Sequence, residues 1–182
     1  RRALSHLGNR LSQRKERREE ESMKALIICI SIHRGNTEKI AKAMGKVLEA
    51  ELLKPHVIDA STLAGYDLVG FGSGIYSGKH HASLLNLVDK LTELKGKRAF
   101  VFATGGTGKR LNIFHGTTNF HNALKKKLLE KRFDIIGEFD CRGWDTYSWF
   151  KYVWGISKGR PNEKDLEKAR NFAKDLEKIF GK

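Results

Sequence analysis

Two hydrophobic periodicities alternate along the chain. A short, unbroken apolar run lies at 25–30 (ALIICI), and runs rich in β-branched and aromatic residues follow at 67–72 (DLVGFG), 98–104 (RAFVFAT) and 133–139 (FDIIGEF). Such runs suit strands buried on both faces. Between them the apolar positions recur at helical spacing: Ile40, Ala41, Met44 and Val47; a stretch over 82–94; Leu124, Leu128 and Leu129 within 119–132. The last helix is predicted over 163–180, with Leu166, Ala169, Phe172, Ala173, Leu176, Ile179 and Phe180 on its apolar side. A weaker strand candidate is Val57-Ile58, inside 52–60. Five strands alternating with four or five helices predict an α/β protein, a doubly wound parallel sheet with helices on both faces.

Length changes little in this picture: 182 residues suggest one domain. Residues 1–22 stand apart, dense in charge and poor in large apolar side chains. They read as a solvated helix or a disordered extension. Met23, directly before the first strand, is a candidate natural start, and the domain is expected over 23–182. No run approaches the roughly 18 apolar residues of a membrane span. No signal-peptide pattern is visible, and Cys29 and Cys141 lack metal-ligand spacing. A reducing, cytoplasmic setting without a disulfide is therefore expected.

Charge adds a question about partners. The formal net charge is +14, and residues 1–22 supply only +3 of it, from seven basic and four acidic residues, leaving +11 on the body. Such an excess can attract an acidic protein, a phosphorylated ligand or nucleic acid. A solvated basic surface accounts for it better than nucleic-acid binding. The helix over 119–132 carries Lys125, Lys126, Lys127, Lys131 and Arg132, and reads either as a docking face or as an ordinary solvated one.

Three polar or glycine-rich stretches follow predicted strands. The first holds Ser31, His33, Arg34, Gly35, Asn36 and Thr37 and runs directly into a helix. A helix N-terminus favours an anion, Gly35 permits close backbone approach, and Asn36 or Thr37 can cap the helix. The second holds Ser73, Gly74, Ile75, Tyr76, Ser77 and Gly78, a loop around one aromatic. The third holds Thr104, Gly105, Gly106, Thr107 and Gly108. It fails the triphosphate-loop spacing, because Ala103 stands at the earlier glycine position and Arg110 follows Lys109. His80 and His81 are adjacent at a helix start, an arrangement poor for joint metal ligation, and read as surface or loop histidines. Six aromatics crowd 144–154, beginning with Trp144. They can wall a pocket, take an apolar substrate, form a partner surface, or cover a sheet end.

The pattern S-x-x-x-G-N-T-E-K-I-A after a first buried strand resembles the phosphate loop of flavodoxin-like FMN-binding proteins. YDLVGFGSGIYSGKHHASL resembles the second flavin loop of the same family, and GRPNEKDLEKARNFA its C-terminal segment. His33 and Arg34 stand where that phosphate loop often has hydroxyl residues, and the basic charge also departs from the family's usual acidity. The resemblance implies a five-stranded sheet of order 2-1-3-4-5 and a bound FMN. It implies a phosphate at 31–37 and a ring between the Tyr76 loop and 105–108, with Trp144 nearby. Tyr76 either stacks on that ring or packs its loop on the next helix. The implied function is electron transfer with a redox partner protein, an acidic one given the charge. An FMN-dependent oxidoreductase acting on a quinone or NAD(P)H is the alternative. A non-redox binding protein that keeps the fold is the third reading.

Overall fold

The computed structural model describes residues 23–32, 34–105, 119–143 and 158–180. Six strands and four helices are present among them. They are β1 (Ala25–Ile30), α1 (Asn36–Leu48), β2 (Glu51–Leu53), β3 (Leu68–Tyr76), β4 (Lys79–His80) and α2 (Ala82–Lys90). Then come β5 (Arg98–Gly105), α3 (Asn122–Glu130), β6 (Asp134–Arg142) and α4 (Glu163–Phe180). The five long-range partners are parallel and ordered β2-β1-β3-β5-β6, with β4 antiparallel on the end of β3. Counting the parallel strands alone gives the expected 2-1-3-4-5.

Side-chain alternation divides each central strand between two cores, as a strand covered on both faces requires. Leu26 and Ile28 of β1, Val69 and Phe71 of β3, and Val101 of β5 pack beneath Leu84, Leu87 and Val88 of α2 and Leu124 and Leu128 of α3. The intervening Ile27, Leu68, Phe100 and Phe102 pack against Ile40, Met44 and Leu48 of α1 and Ala169, Ala173 and Leu176 of α4. On this second face Gly70 and Gly72 make room for two rings. A Cβ at Gly70 would lie 2.3 Å from Phe100 Cζ, and one at Gly72 only 2.0 Å from Phe102 Cζ.

Three expectations are corrected. The second strand is Glu51–Leu53, not Val57-Ile58. Pro55 instead starts a 3₁₀ turn, Pro55–Val57, and Ile58 is buried without joining the sheet. The third strand runs four residues past Gly72, so Ser73, Gly74, Ile75 and Tyr76 are strand rather than loop. Ser77 and Gly78 close a two-residue hairpin with φ of 48° and 78°. Both values are positive, as in the type I′ turn that matches strand twist. The third correction concerns histidine: His80 is 2 % exposed, not a surface residue. Residues 1–22, with the charged extension, and 144–154, with the aromatic run, lie outside the described residues.

Candidate functional site

β1, β3 and β5 are neighbours and parallel, so their C-terminal ends deliver the three stretches to one edge of the sheet. The chain leaves β1 for α1 on one face, and the strand order reverses between β1 and β3. Open α/β sheets bind ligands in the crevice at that reversal.

The first stretch turns sharply at Arg34 and Gly35, with φ of 55° and 67°. Gly35, not Asn36 or Thr37, is the N-cap of α1. A glycine cap brings no side-chain acceptor to the first-turn N–H groups, which face the loop with the positive end of the helix dipole. Asn36 and Thr37 are buried instead, and Arg34 is exposed. Thr37 Oγ1 lies 2.7 Å from Thr104 Oγ1, which ties this turn to the end of β5. The two hydroxyls carry two protons and share one bond, so one proton remains to be donated elsewhere.

The second and third stretches meet through Gly105, where an added Cβ would lie 3.7 Å from Ile75 Cβ. The Gly105 carbonyl accepts the Gly143 N–H at 3.0 Å. Gly143 in turn sits against the first stretch: a Cβ there would lie 3.0 Å from Asn36 Nδ2. Gly143 therefore closes the cluster at the end of β6. The Tyr76 ring meets the His81 ring edge-on, with centroids 5.3 Å apart and planes at 78°. Its hydroxyl reaches back to Gly74, where an added Cβ would be 2.9 Å away. The Tyr76 ring thus lies against the residue that caps α2. His33, Gly106, Thr107, Gly108 and Trp144 lie outside the described residues.

Neither cysteine is poised as a nucleophile. Burial pushes the Cys29 thiol up to about 12, with the Glu38 charge adding to it. Burial does the same to Cys141, again about 12, helped by Asp165. Among the described residues no cluster of His, Cys, Asp and Glu suits a metal ion. No helix among them is long and apolar enough to cross a membrane.

A polar chain that the sequence did not announce runs beneath the end of β3. Ser73 Oγ lies 2.8 Å from His80 Nδ1, and His80 Nε2 lies 2.9 Å from His121 Nδ1. His121 Nε2 is 3.0 Å from Asp140 Oδ1, within ion-pair distance but outside hydrogen-bond geometry. Ser73, His80 and His121 are all buried. Burial pulls His80 down to about 3; the neighbouring His121 lowers it further, and Asp140 acts in the opposite sense. The one local cue is that the hairpin brings His80 back beside β3. His121 comes from 41 residues away, just before α3, and carries no motif.

The fold is that of a doubly wound α/β protein. The chain belongs to the flavodoxin domain family, whose profile matches residues 27–148. It is 44% identical over 154 residues to an uncharacterized protein of Methanocaldococcus jannaschii, covering 85% of this chain and 98% of that one. Among solved structures it resembles oxidised Flavodoxin 2 from Bacillus cereus, with TM-score 0.61, 22% identity, and coverage of 86% of this chain and 99% of that one. It also resembles rubredoxin oxygen:oxidoreductase from Desulfovibrio gigas, with TM-score 0.63 and 14% identity, over 89% of this chain and 37% of that larger one. At these identities the two structural likenesses concern the fold.

Proposed function

We propose that the protein binds FMN at the C-terminal edge of the sheet and acts as an electron-transfer protein. The observation that carries this reading is the buried Thr37–Thr104 bond, which joins the first turn of α1 to the end of β5. It leaves a hydroxyl proton beside a helix N-terminus capped by glycine, a suitable setting for a phosphate. Membership of the flavodoxin domain family supports the choice of ligand.

In this reading Ser31, Arg34, Gly35, Asn36 and Thr37 hold the phosphate, with His33 in the same turn. Arg34 brings a planar set of N–H donors in place of hydroxyls. Residues 73–78 and 104–108 flank the ring, with Trp144 beside it. A bound flavin supplies the electron-accepting and electron-donating chemistry itself. The chain binds it, orients it and limits its contact with water. Protonated Cys29 and Cys141 thiols do not compete as nucleophiles.

The net charge of +14 favours a redox partner with an acidic surface, whose binding weakens as salt rises. The same reading puts the protein in the cytoplasm. The aromatic run that follows Gly143 favours a second reading, an FMN-dependent oxidoreductase acting on a quinone or NAD(P)H. Flavin turnover with such a substrate, without a partner protein, would select it over the carrier.

An absorption spectrum of the purified protein, followed by fluorescence titration with FMN, tests the cofactor. Flavin bands, or quenching that Arg34→Ala and Gly35→Val both weaken, are expected. A colourless protein that leaves added FMN fluorescence unchanged would end the electron-transfer reading and leave the fold standing.

A further inference from the structure

The two side edges of the sheet differ in length. β2 ends one side with three residues, Glu51–Leu53, and β6 ends the other with nine, Asp134–Arg142. Among the described residues β6 pairs with β5 alone, so the outer side of its backbone has no strand partner. Such an open row of N–H and C=O groups is a template for a further strand, and natural sheets shorten, charge or cover it. The extra residue at Ile136, where β6 loses step with β5, twists this edge without covering it.

Apolar side chains lie beside this edge on both faces of the sheet. On one face Lys125 of α3 pairs with Glu138 of β6, and Leu129 follows Lys125 by one turn, on the same side of the helix. Leu129 is 57 % exposed and lines an open groove of about 650 Å³ with Lys125 and Lys126. On the other face the Phe172 ring of α4 lies over Gly137, where an added Cβ would be 2.8 Å away. It also meets the Phe139 ring, with centroids 5.5 Å apart. Ile136, Phe139 and Phe172 are only half-buried. Ile179 lies two turns beyond Phe172 on the same face of α4 and is 43 % exposed. Two of the four exposed large apolar side chains among the described residues thus flank one sheet edge.

Charge selects the partner. α3 holds three basic residues and one acidic, β6 one basic and three acidic, and α4 five of each. The three elements together are neutral in a chain of net charge +14. A nucleic acid or a strongly acidic protein is drawn to the basic remainder instead. A second copy of so basic a chain needs a neutral flank in order to approach. A strand edge also suits its own copy: turned about a two-fold axis it meets itself antiparallel, and its N–H and C=O groups pair reciprocally.

We propose that two copies of the chain join β6 to β6 across a two-fold axis, making one continuous sheet. The axis stands normal to the sheet, so α3 faces its copy on one side and α4 its copy on the other. Leu129 and Ile179 are then covered on the two faces. Nine residues of strand extend about 30 Å. With a helix on each face, that length suffices for the roughly 800 Å² per copy that a stable interface buries. Because the two central strands run antiparallel, the C-terminal edges of the two sheets point in opposite directions, and the loop cluster of each copy stays open. The proposal is independent of the FMN reading.

Sedimentation equilibrium of the full chain tests it. At about 100 μM, where a contact of micromolar Kd is almost fully formed, the mass of a dimer is expected. On dilution it should fall toward the 20.7 kDa of one chain. Leu129→Lys and Ile179→Lys change exposed positions, and each should raise the dissociation constant about tenfold or more while the circular dichroism and the urea midpoint stay close to those of the parent. Glu138→Lys puts like charges on the edge of both copies and should abolish the dimer. Adding Lys125→Glu makes the edge neutral again and should restore it. Hydrogen exchange locates the contact: amides of 134–142 should exchange more slowly in the dimer than in the Leu129→Lys protein at equal concentration. A single-chain mass at every concentration would overturn the proposal. So would a dimer that survives both lysine substitutions, or one whose added protection lies away from β6.

Discussion

Thr37 and Thr104 stand 67 residues apart in sequence and share a bond of 2.7 Å between buried hydroxyls. The bond ties the helix that leaves β1 to the strand two places along the sheet. Thr37→Val strands the Thr104 hydroxyl in a buried site and should cost about 1–3 kcal/mol. Thr37→Val with Thr104→Val removes both polar groups and should cost less than the sum of the single changes. Urea unfolding of the four proteins measures the coupling, and strict additivity would show that the two hydroxyls do not act as a pair.

Gly72 tests how the sheet accommodates its own aromatics. The position of its missing Cβ is filled by the Phe102 ring. Gly72→Val should destabilise the protein by about 1–3 kcal/mol through overpacking. Gly72→Val combined with Phe102→Leu should recover part of that loss. An unchanged denaturation midpoint in the single variant would contradict the close approach of β3 and β5.

The contrast between Gly72 and Gly35 separates volume from backbone. Nothing lies within 4 Å of a Cβ built on Gly35, yet its φ is 67°. Gly35→Ala should therefore cost about 1–2 kcal/mol through conformation alone. Gly35→Asn should cost less, because Asn tolerates the left-handed region. If Ala and Asn prove equivalent in thermal unfolding, the turn relaxes when substituted and the left-handed cap is not required.

The same two glycines show why parts of the fold were legible in sequence and others were not. The first strand, the turn and α1 are contiguous, so a buried run followed by a glycine turn and helical spacing carries the whole unit. The end of β3 was misread because Gly72, Ser73 and Gly74 resemble a loop when taken alone. The Phe102 ring that explains Gly72 lies on another strand, and the Tyr76 hydroxyl that covers Gly74 belongs to the hairpin. β2 was misplaced for a related reason. Ile58 has the apolar signal because it is buried, whereas Glu51–Leu53 is a short edge strand with little signal of its own. His80, His121 and Asp140 come together only through tertiary contacts, as Gly143 does with Gly105 and Asn36, so no spacing in the chain could mark either group.

The cysteines give a chemical check on burial. Both thiols are pushed up to about 12, so at pH 8 almost none of either is thiolate in the folded state. Alkylation by iodoacetamide should be slow in native protein and fast after unfolding in urea. Rapid modification of Cys29 or Cys141 in native protein would mean that the end of β1 or β6 opens on the timescale of the reagent.

His80 makes stability depend on pH in a known direction. In the unfolded chain a histidine takes up its proton near about 6.5. In the folded protein His80 does so only at about 3. Between those values the unfolded state binds the extra proton, so stability is full above the upper value and is lost as pH falls toward the lower one. The contribution reaches up to about 1.4 kcal/mol per pH unit within that window. His80→Gln lacks the titrating ring and should be less stable at pH 7 but lose stability less steeply on acidification. Urea unfolding of both proteins from pH 7 to pH 4 measures the two slopes. Parallel slopes would mean that His80 is charged or solvated in the folded state, and the buried chain from Ser73 to Asp140 would have to be abandoned.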